Sequence, residues 1–259
     1  MGSPIFLGSG VLAIVRAVAH EISFRSDVSV ELVRSSASDS DVLFAARVST
    51  QGEKTLGAAQ DESLDASRSK GLINYLMRDR HGSPFEHNSM TFYVQAPIFV
   101  FREFMRHRIA SYNEESGRYR ELNPVFYVPG PERNLVQVGK AGAYDFLPGT
   151  PEQTDLVSAE VRAVCTEAFG SYQRMLDAGV AREVARIVLP LTIYSSMYVT
   201  MNARALMNFV SLRTKNEGSR FPSFPQREIE MVAEKMEAFW AGLMPLTHEA
   251  FNENGRVAP

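Results

Sequence analysis

The sequence predicts an α+β fold, on three observations. Segments with a helical apolar period and clear end signals recur along its 259 residues. Runs rich in β-branched and aromatic residues are few and lie scattered among the helices. The order never settles into the strand–helix–strand alternation that builds a parallel sheet.

Residues 27–36, DVSVELVRSS, alternate Val28, Val30 and Leu32 with polar neighbours and predict a strand. Segment 39–49 follows serine and aspartate caps and predicts a short helix. The Gly- and Gln-containing stretch 51–61 reads as a loop. In 64–82, Leu72, Ile73, Leu76 and Met77 mark a helix that ends in basic residues and Gly82. SMTFYVQA, 89–96, reads as a strand, and Pro97 suits the first turn of a helix over 97–109. On that helix Ile98, Phe101, Met105 and Ile109 share a face, while Arg102 and Arg106 sit four apart on another. The chain then leaves the helix into a polar loop reaching residue 121. Residues 122–150, with four prolines and four glycines, read as irregular.

A helix over 150–179 has complete boundaries: Thr150 as N-cap, Pro151 at the first position, Gln153 closing a capping box and Gly179 as the stop. A shorter helix, 181–190, ends near Pro190. Residues 191–202 predict a strand and 203–213 a helix. A Gly/Pro-rich loop, 214–225, leads to an amphipathic helix over 225–245. The whole is read as one domain, 1–259, closing with a polar tail from about residue 247.

Hydrophobic residues make up 45% and charged residues 22%, which suits a globular chain with a sizeable core. The net charge of −3 gives the molecule as a whole no electrostatic attraction to nucleic acid or to a membrane surface. The apolar stretch 4–15 lacks a basic leader and is too short to span a bilayer, so a cytoplasmic protein is expected. A single cysteine, Cys165, rules out an intrachain disulfide. It sits mid-helix beside Val161, Val164 and Phe169 with no cation to activate it, as a core thiol would.

Anion binding must therefore come from local clustering. Arg102, Arg106, Arg108, Arg118 and Arg120 fall within nineteen residues. Guanidinium forks match phosphate oxygens, but a solvated face paired with Glu103, Glu114, Glu115 and Glu121 is the plainer reading of such a run. Interleaved Ser111, Asn113, Ser116 and Tyr119 favour a ligand pocket. A nucleic-acid surface is the third reading, against which the net negative charge speaks. His81, Glu86 and His87 match no compact zinc spacing. Arg186 lies in the apolar run VARIVLP and needs a partner, either Glu183 or a bound anion. No Walker loop, GxGxxG fingerprint or GxSxG elbow occurs.

Arg106-His107-Arg108, seven residues, then Ser116 resembles the signature of the flavin-dependent thymidylate synthases. GSPFEH (82–87), APIFVFREFMRHR (96–108), ARIVLPL (185–191) and NARALMNFVSLR (202–213) resemble that family's other blocks, in its order. The resemblance covers nearly the whole chain. It implies a central antiparallel sheet flanked by helices and assembly as a homotetramer with FAD held between subunits. It also implies conversion of dUMP to dTMP with 5,10-methylenetetrahydrofolate and NADPH; a related flavin-dependent nucleotide oxidoreductase or methylase is the alternative. Flavin contacts would fall on Ser49, Ser83, Glu86, Arg106, His107, Arg108, Asn113, Asn202 and Asn208. Nucleotide contacts would fall on Glu103, Arg106, Glu114, Ser116, Arg118, Arg186 and Arg213. His81 matches a histidine near the folate, and Arg213 is placed to polarise the pyrimidine. One departure stands out: Glu217 occupies a position where the family commonly has histidine, within a lengthened loop before Gln226.

Overall fold

The computed structural model describes residues 21–55, 66–140 and 143–259. The apolar stretch 4–15, most of the 51–61 loop and the first residues of the 64–82 helix lie outside them. Four antiparallel strands form the central sheet, in the order β2 (Ser29–Ser36), β3 (Ser89–Pro97), β8 (Tyr194–Met201) and β4 (Ser111–Glu114). Two smaller pairings flank it. β1 (Ser23–Arg25) runs parallel to β5 (Val125–Tyr127), and β6 (Val136–Lys140) forms a hairpin with β7 (Ala143–Leu147).

The sheet is amphipathic because strand side chains alternate. On β3, Met90, Phe92, Val94 and Ala96 are buried, while Thr91, Tyr93 and Gln95 point to the other, half-covered face. Helix α6 (Ala203–Arg213) shares the inner face, burying Ala203, Ala205, Leu206, Met207, Phe209 and Val210. Ile229, Val232, Met236 and Trp240 of α7 (Arg227–Leu243) complete this core. A second cluster forms where Cys165, Phe169 and Tyr172 of α4 (Pro151–Asp177) meet Phe126 and Ile193. On the outer face Tyr93 and Tyr198 lie 5.7 Å apart, and the Thr91 and Thr200 hydroxyls share a 2.9 Å hydrogen bond.

Local chemistry sets most boundaries. Ser38 caps α1 (Asp39–Gln51), with Asp41 returning the capping-box bond. Thr150 and Gln153 do the same for α4, and Gly179 (φ +82°) ends that segment in the left-handed region glycine favours. α2 (Ala66–Arg78) buries Ile73, Leu76 and Met77, as its apolar period predicts.

Several expectations need correction. The helix over 97–109 is shorter: α3 spans Ile98–Phe104, and Pro97 ends β3 as its N-cap. After Phe104 the amides of Arg106 and His107 bond only three residues back, to Glu103 and Phe104. That tightening turns the chain so that Ser111 can pair with Thr200. The polar loop beyond it contains β4, and the irregular 122–150 region contains β5 and the β6–β7 hairpin. The 181–190 helix reduces to α5 (Arg182–Ala185) and a 3₁₀ turn over Arg186–Val188.

The polar tail is in fact a folded element. α8 (Pro245–Glu253) buries Thr247, Ala250 and Phe251, and Arg256 beyond it is 4% exposed. Asp39 caps α8 from across the chain, accepting from Leu246 N at 2.8 Å, Thr247 N at 2.9 Å and Thr247 Oγ1 at 2.6 Å. Among the described residues no helix is long and apolar enough to cross a membrane.

Candidate active site

Arg213 ends α6, which Asn202 caps at its start. The Asn202 side chain accepts from Ala205 N at 2.9 Å, so the residue expected at the flavin is also the helix N-cap. Across the sheet's inner face, α3 places Glu103 in its last turn, and His107 follows. The Arg213 guanidinium joins them, donating from Nε to His107 Nε2 at 3.0 Å and from Nη1 to Glu103 Oε2 at 3.1 Å. Two rings fix this junction. Phe209 stacks on Phe104 at 4.4 Å and meets the His107 ring edge-on at 4.9 Å. The Tyr112 hydroxyl donates to the His107 carbonyl at 2.6 Å and lies 3.1 Å from that of Phe104.

The electrostatics follow from this packing. Burial, and then the Arg213 charge, push His107 down from 6.5 to about 4. The imidazole is therefore neutral near pH 7, with an unprotonated Nε2 facing the arginine. Burial raises the Glu103 carboxyl and Arg213 opposes it. Burial also pushes the Tyr112 phenol up to about 12, so it remains a donor.

This junction makes a prediction about acid stability. The unfolded chain takes up the histidine proton at higher pH than the folded one. The junction's contribution is thus complete above about pH 6.5 and declines as pH falls toward 4. Solvent screening at a half-exposed ring limits the loss to roughly 1 kcal/mol by pH 5. Urea unfolding at pH 7 and pH 5 should show that loss in the wild type and a smaller one in His107→Gln.

A second group gathers around the 3₁₀ turn at Arg186. Burial raises the Glu114 carboxyl, while the Ser195 hydroxyl and the Arg186 charge pull it back. A Cβ on Gly117 would lie 3.2 Å from Leu122 and 3.4 Å from Arg186 Cδ, so the stem of Arg186 passes close over the turn that carries Ser116 and Arg118. Arg118 pairs with Glu183 at 2.9 Å on an exposed surface, an interaction weak enough for a ligand oxyanion to replace. Arg186 itself is exposed, which removes the burial argument for a partner, and Glu183 is taken by Arg118. Among the described residues Arg102, Arg106, Arg108 and Arg186 form no ion pair.

A third group sits at the opposite end of α6. Glu86 pairs with Arg204, whose Nε also donates to the Pro259 carbonyl at 2.6 Å. Gly82 suits that site, since a Cβ would come within 2.7 Å of the Pro259 backbone oxygen as well as 2.6 Å of the Arg204 guanidinium. Ser83 is exposed beside Glu86, and His81 stacks on Tyr75 at 5.5 Å. Asn208 lies exposed on α6 with its amide bonded to the Arg204 carbonyl, and Asn113 is exposed on β4. Ser49 is exposed in the last turn of α1, the helix that packs against the Ser83–Glu86 turn.

Sequence reasoning missed Asn88 and Tyr112. The sequence sets Arg204 and Asn208 four apart on one face of α6, but not the pairing of Arg204 with Glu86. Asn88 Oδ1 accepts from Ala203 N at 2.7 Å and so ties the Glu86 turn to the start of α6, a link no local pattern shows.

Cys165 belongs to none of these groups. It is 1% exposed, its Sγ lies 3.2 Å from Thr192 Oγ1, and burial raises its thiol. Cys165→Ala should retain most turnover and cost about 1–2 kcal/mol of stability, read from activity and thermal unfolding together. Complete loss of activity in a folded variant would revive covalent catalysis. Among the described residues no three His, Cys, Asp or Glu side chains are arranged to hold a metal ion.

Exposed arginines that form no ion pair among the described residues, beside small donors and a neutral histidine held by a fixed arginine, suit the binding of anionic, phosphate-bearing ligands. The profile of the thymidylate synthase complementing proteins matches residues 31–246. A flavin-dependent thymidylate synthase of Streptomyces coelicolor is 68% identical over 240 residues, covering 92% of this chain and 96% of the relative. One from Tropheryma whipplei is 59% identical over 236 residues, covering 91% and 97%. The crystal structure of a UMP/dUMP methylase, PolB, from Streptomyces cacaoi bound with 5-Br dUMP superposes with a TM-score of 0.86 at 57% identity, covering 92% of this chain and all of that one. This chain belongs to the flavin-dependent thymidylate synthases.

Proposed function

We propose that the chain methylates dUMP to dTMP as a cytoplasmic homotetramer, with 5,10-methylenetetrahydrofolate as carbon donor and NADPH as reductant through FAD. The pyrimidine loses hydrogen from C5 and gains a methyl group, so the transferred methylene needs two electrons beyond its own. Bound flavin supplies hydride chemistry for that purpose.

The observation that carries this reading is the pairing of free cations with apolar surface. Arg106, Arg108 and Arg186 lack ion-pair partners among the described residues. Beside them Ile109 is 73%, Tyr119 81% and Ile187 75% exposed. Among the described residues, α6 separates the Arg213 group from the Glu86 group by about 16 Å. Surfaces of this kind suit a site completed by neighbouring copies.

In this reading Ser116, Arg118 and Arg186 take the nucleotide phosphate, with Glu114 and Glu103 at the base and sugar. Arg106 serves both ligands. His107, Arg108 and Asn113, with Ser83, Glu86, Asn202 and Asn208 and with Ser49 on α1, hold the flavin. Arg213, fixed by Glu103 and by the unprotonated His107, stands beside the pyrimidine carbonyl and stabilises negative charge developing there. His81 lies toward the folate.

Purified protein should be yellow, with a flavin spectrum that changes on adding dUMP, and should form dTMP with the folate and NADPH. A colourless protein that FAD does not reconstitute, forming no dTMP, overturns the reading. A second reading, methylation of UMP, is favoured by the relative described as a UMP/dUMP methylase. Turnover of both nucleotides under identical conditions separates the two.

A further inference from the structure

Beyond α8 the backbone passes through two consecutive left-handed residues, Gly255 (φ +74°) and Arg256 (φ +57°). An L-residue with a Cβ rarely adopts that conformation, so its surroundings must hold it there. They do so through the guanidinium, which is buried at 4% exposure. Nη1 donates to Glu237 Oε1 at 2.7 Å and Asn252 Oδ1 at 2.6 Å. Nη2 donates to Glu237 Oε2 at 2.8 Å and to Thr214 Oγ1 at 3.0 Å. Burial disfavours the charge on Glu237, but His248 and Arg256 hold that carboxyl down at about 2.

Thr214 is the residue after Arg213, where α6 gives way to extended backbone (φ −126°, ψ 141°). Its hydroxyl donates to the Val210 carbonyl at 2.8 Å while accepting from Arg256. Its own carbonyl accepts from Ser223 Oγ at 2.5 Å, and Arg220 N donates to Gly255 O at 2.9 Å. The same segment then crosses to the other end of α6. There Ala258 O accepts from Arg80 at 3.2 Å and Pro259 O from Arg204 at 2.6 Å. One short strap therefore touches both termini of the helix that carries Arg204 and Arg213.

We propose that residues 254–259 register α6 against the sheet, and that Arg256 is a positioning residue for Arg213, acting through Thr214. The strap fixes where the peptide leaves the helix, and that exit point sets the direction of the Arg213 side chain toward Glu103 and His107. The lengthened 214–225 loop is pinned to the same point by Ser223 and Arg220, so loop and strap share one anchor.

The proposal rests on the role given above to Arg213, so its test has a readout independent of turnover. Thr214→Val keeps the side-chain shape and leaves the Arg256–Glu237 pair intact, while Arg256→Lys keeps the charge. NMR titration of the His107 ring reports Arg213 directly, because the arginine helps depress that histidine. In Thr214→Val the His107 pKa should rise by about half a unit or more. The kcat with dUMP should fall about three- to tenfold with a smaller change in KM, and the loss should shrink in an Arg213→Lys background. Wild-type titration and wild-type kcat in folded Thr214→Val overturn the proposal. So does a kcat loss that multiplies in full with Arg213→Lys. If Arg256→Lys fails to fold, Thr214→Val alone decides. If wild-type protein forms no dTMP, the functional reading fails, and the titration still decides whether the strap places Arg213.

Discussion

Arg213→Ala is expected to leave flavin bound and to lower kcat for dTMP formation about a thousandfold or more. The guanidinium is rigid before any ligand arrives, held by two bonds from two other segments. A preorganised cation beside a ring that gains negative charge contributes far more than a mobile one, because nothing must reorganise during reaction. Truncation also leaves the half-buried Glu103 without its cation, and burial already raises that carboxyl. Arg213→Lys retains the charge but not the fork that reaches both partners, so it should recover only part of the rate. Single-turnover absorbance of the reduced protein mixed with dUMP and folate separates this loss from weaker binding. Near-wild-type turnover in Arg213→Ala removes the residue from the chemistry.

Phe209→Ala is expected to have the largest effect on folding, about 3–5 kcal/mol, since the ring is fully buried in the main core. It should also disturb the site. Phe209 supports Phe104, whose helix carries Glu103, and contacts His107 edge-on. Without the ring, His107 is better solvated and its pKa should climb back toward 6.5. Phe209→Leu fills most of the space but lacks the flat face, so it should recover stability more fully than it recovers the histidine titration. Urea denaturation and ring NMR of the two variants provide the comparison.

How much of this was legible in the sequence varied with the range of the interactions involved. α4 and α6 could be read because their boundaries are local: Thr150 with Gln153, and Asn202 with Ala205, signal within four residues. β3 could be read from its β-branched and aromatic residues, Thr91, Phe92, Tyr93 and Val94. The end of α3 could not, since it is fixed by the need to bring Ser111 beside Thr200, eighty-nine positions later in the chain. The β6–β7 pairing was obscured by Gly139 within it and by Pro131 and Pro148 on either side, although Val136, Val138, Tyr144 and Phe146 alternate along the two strands. α8 was concealed by polar composition, because its cap is supplied by Asp39. At the site, residue types pointed to anion binding, but only the folded chain joins His107 to Arg213 and separates both from Glu86. Arg186 was misjudged for a plain reason: an apolar neighbourhood in sequence suggested burial, whereas Ile187 beside it is 75% exposed.

The bond from Asp39 to residues 246 and 247 also affects how the molecule is made. During synthesis α1 can form early, but the carboxylate that starts it lacks its Leu246 and Thr247 partners until some 208 further residues have been added. The main core is therefore closed by α1 and α8, a long-range contact of the sort that slows folding. A nascent chain halted before residue 245 should expose the apolar side of α1 to chaperones, and release of the remaining residues should bury it in one late step.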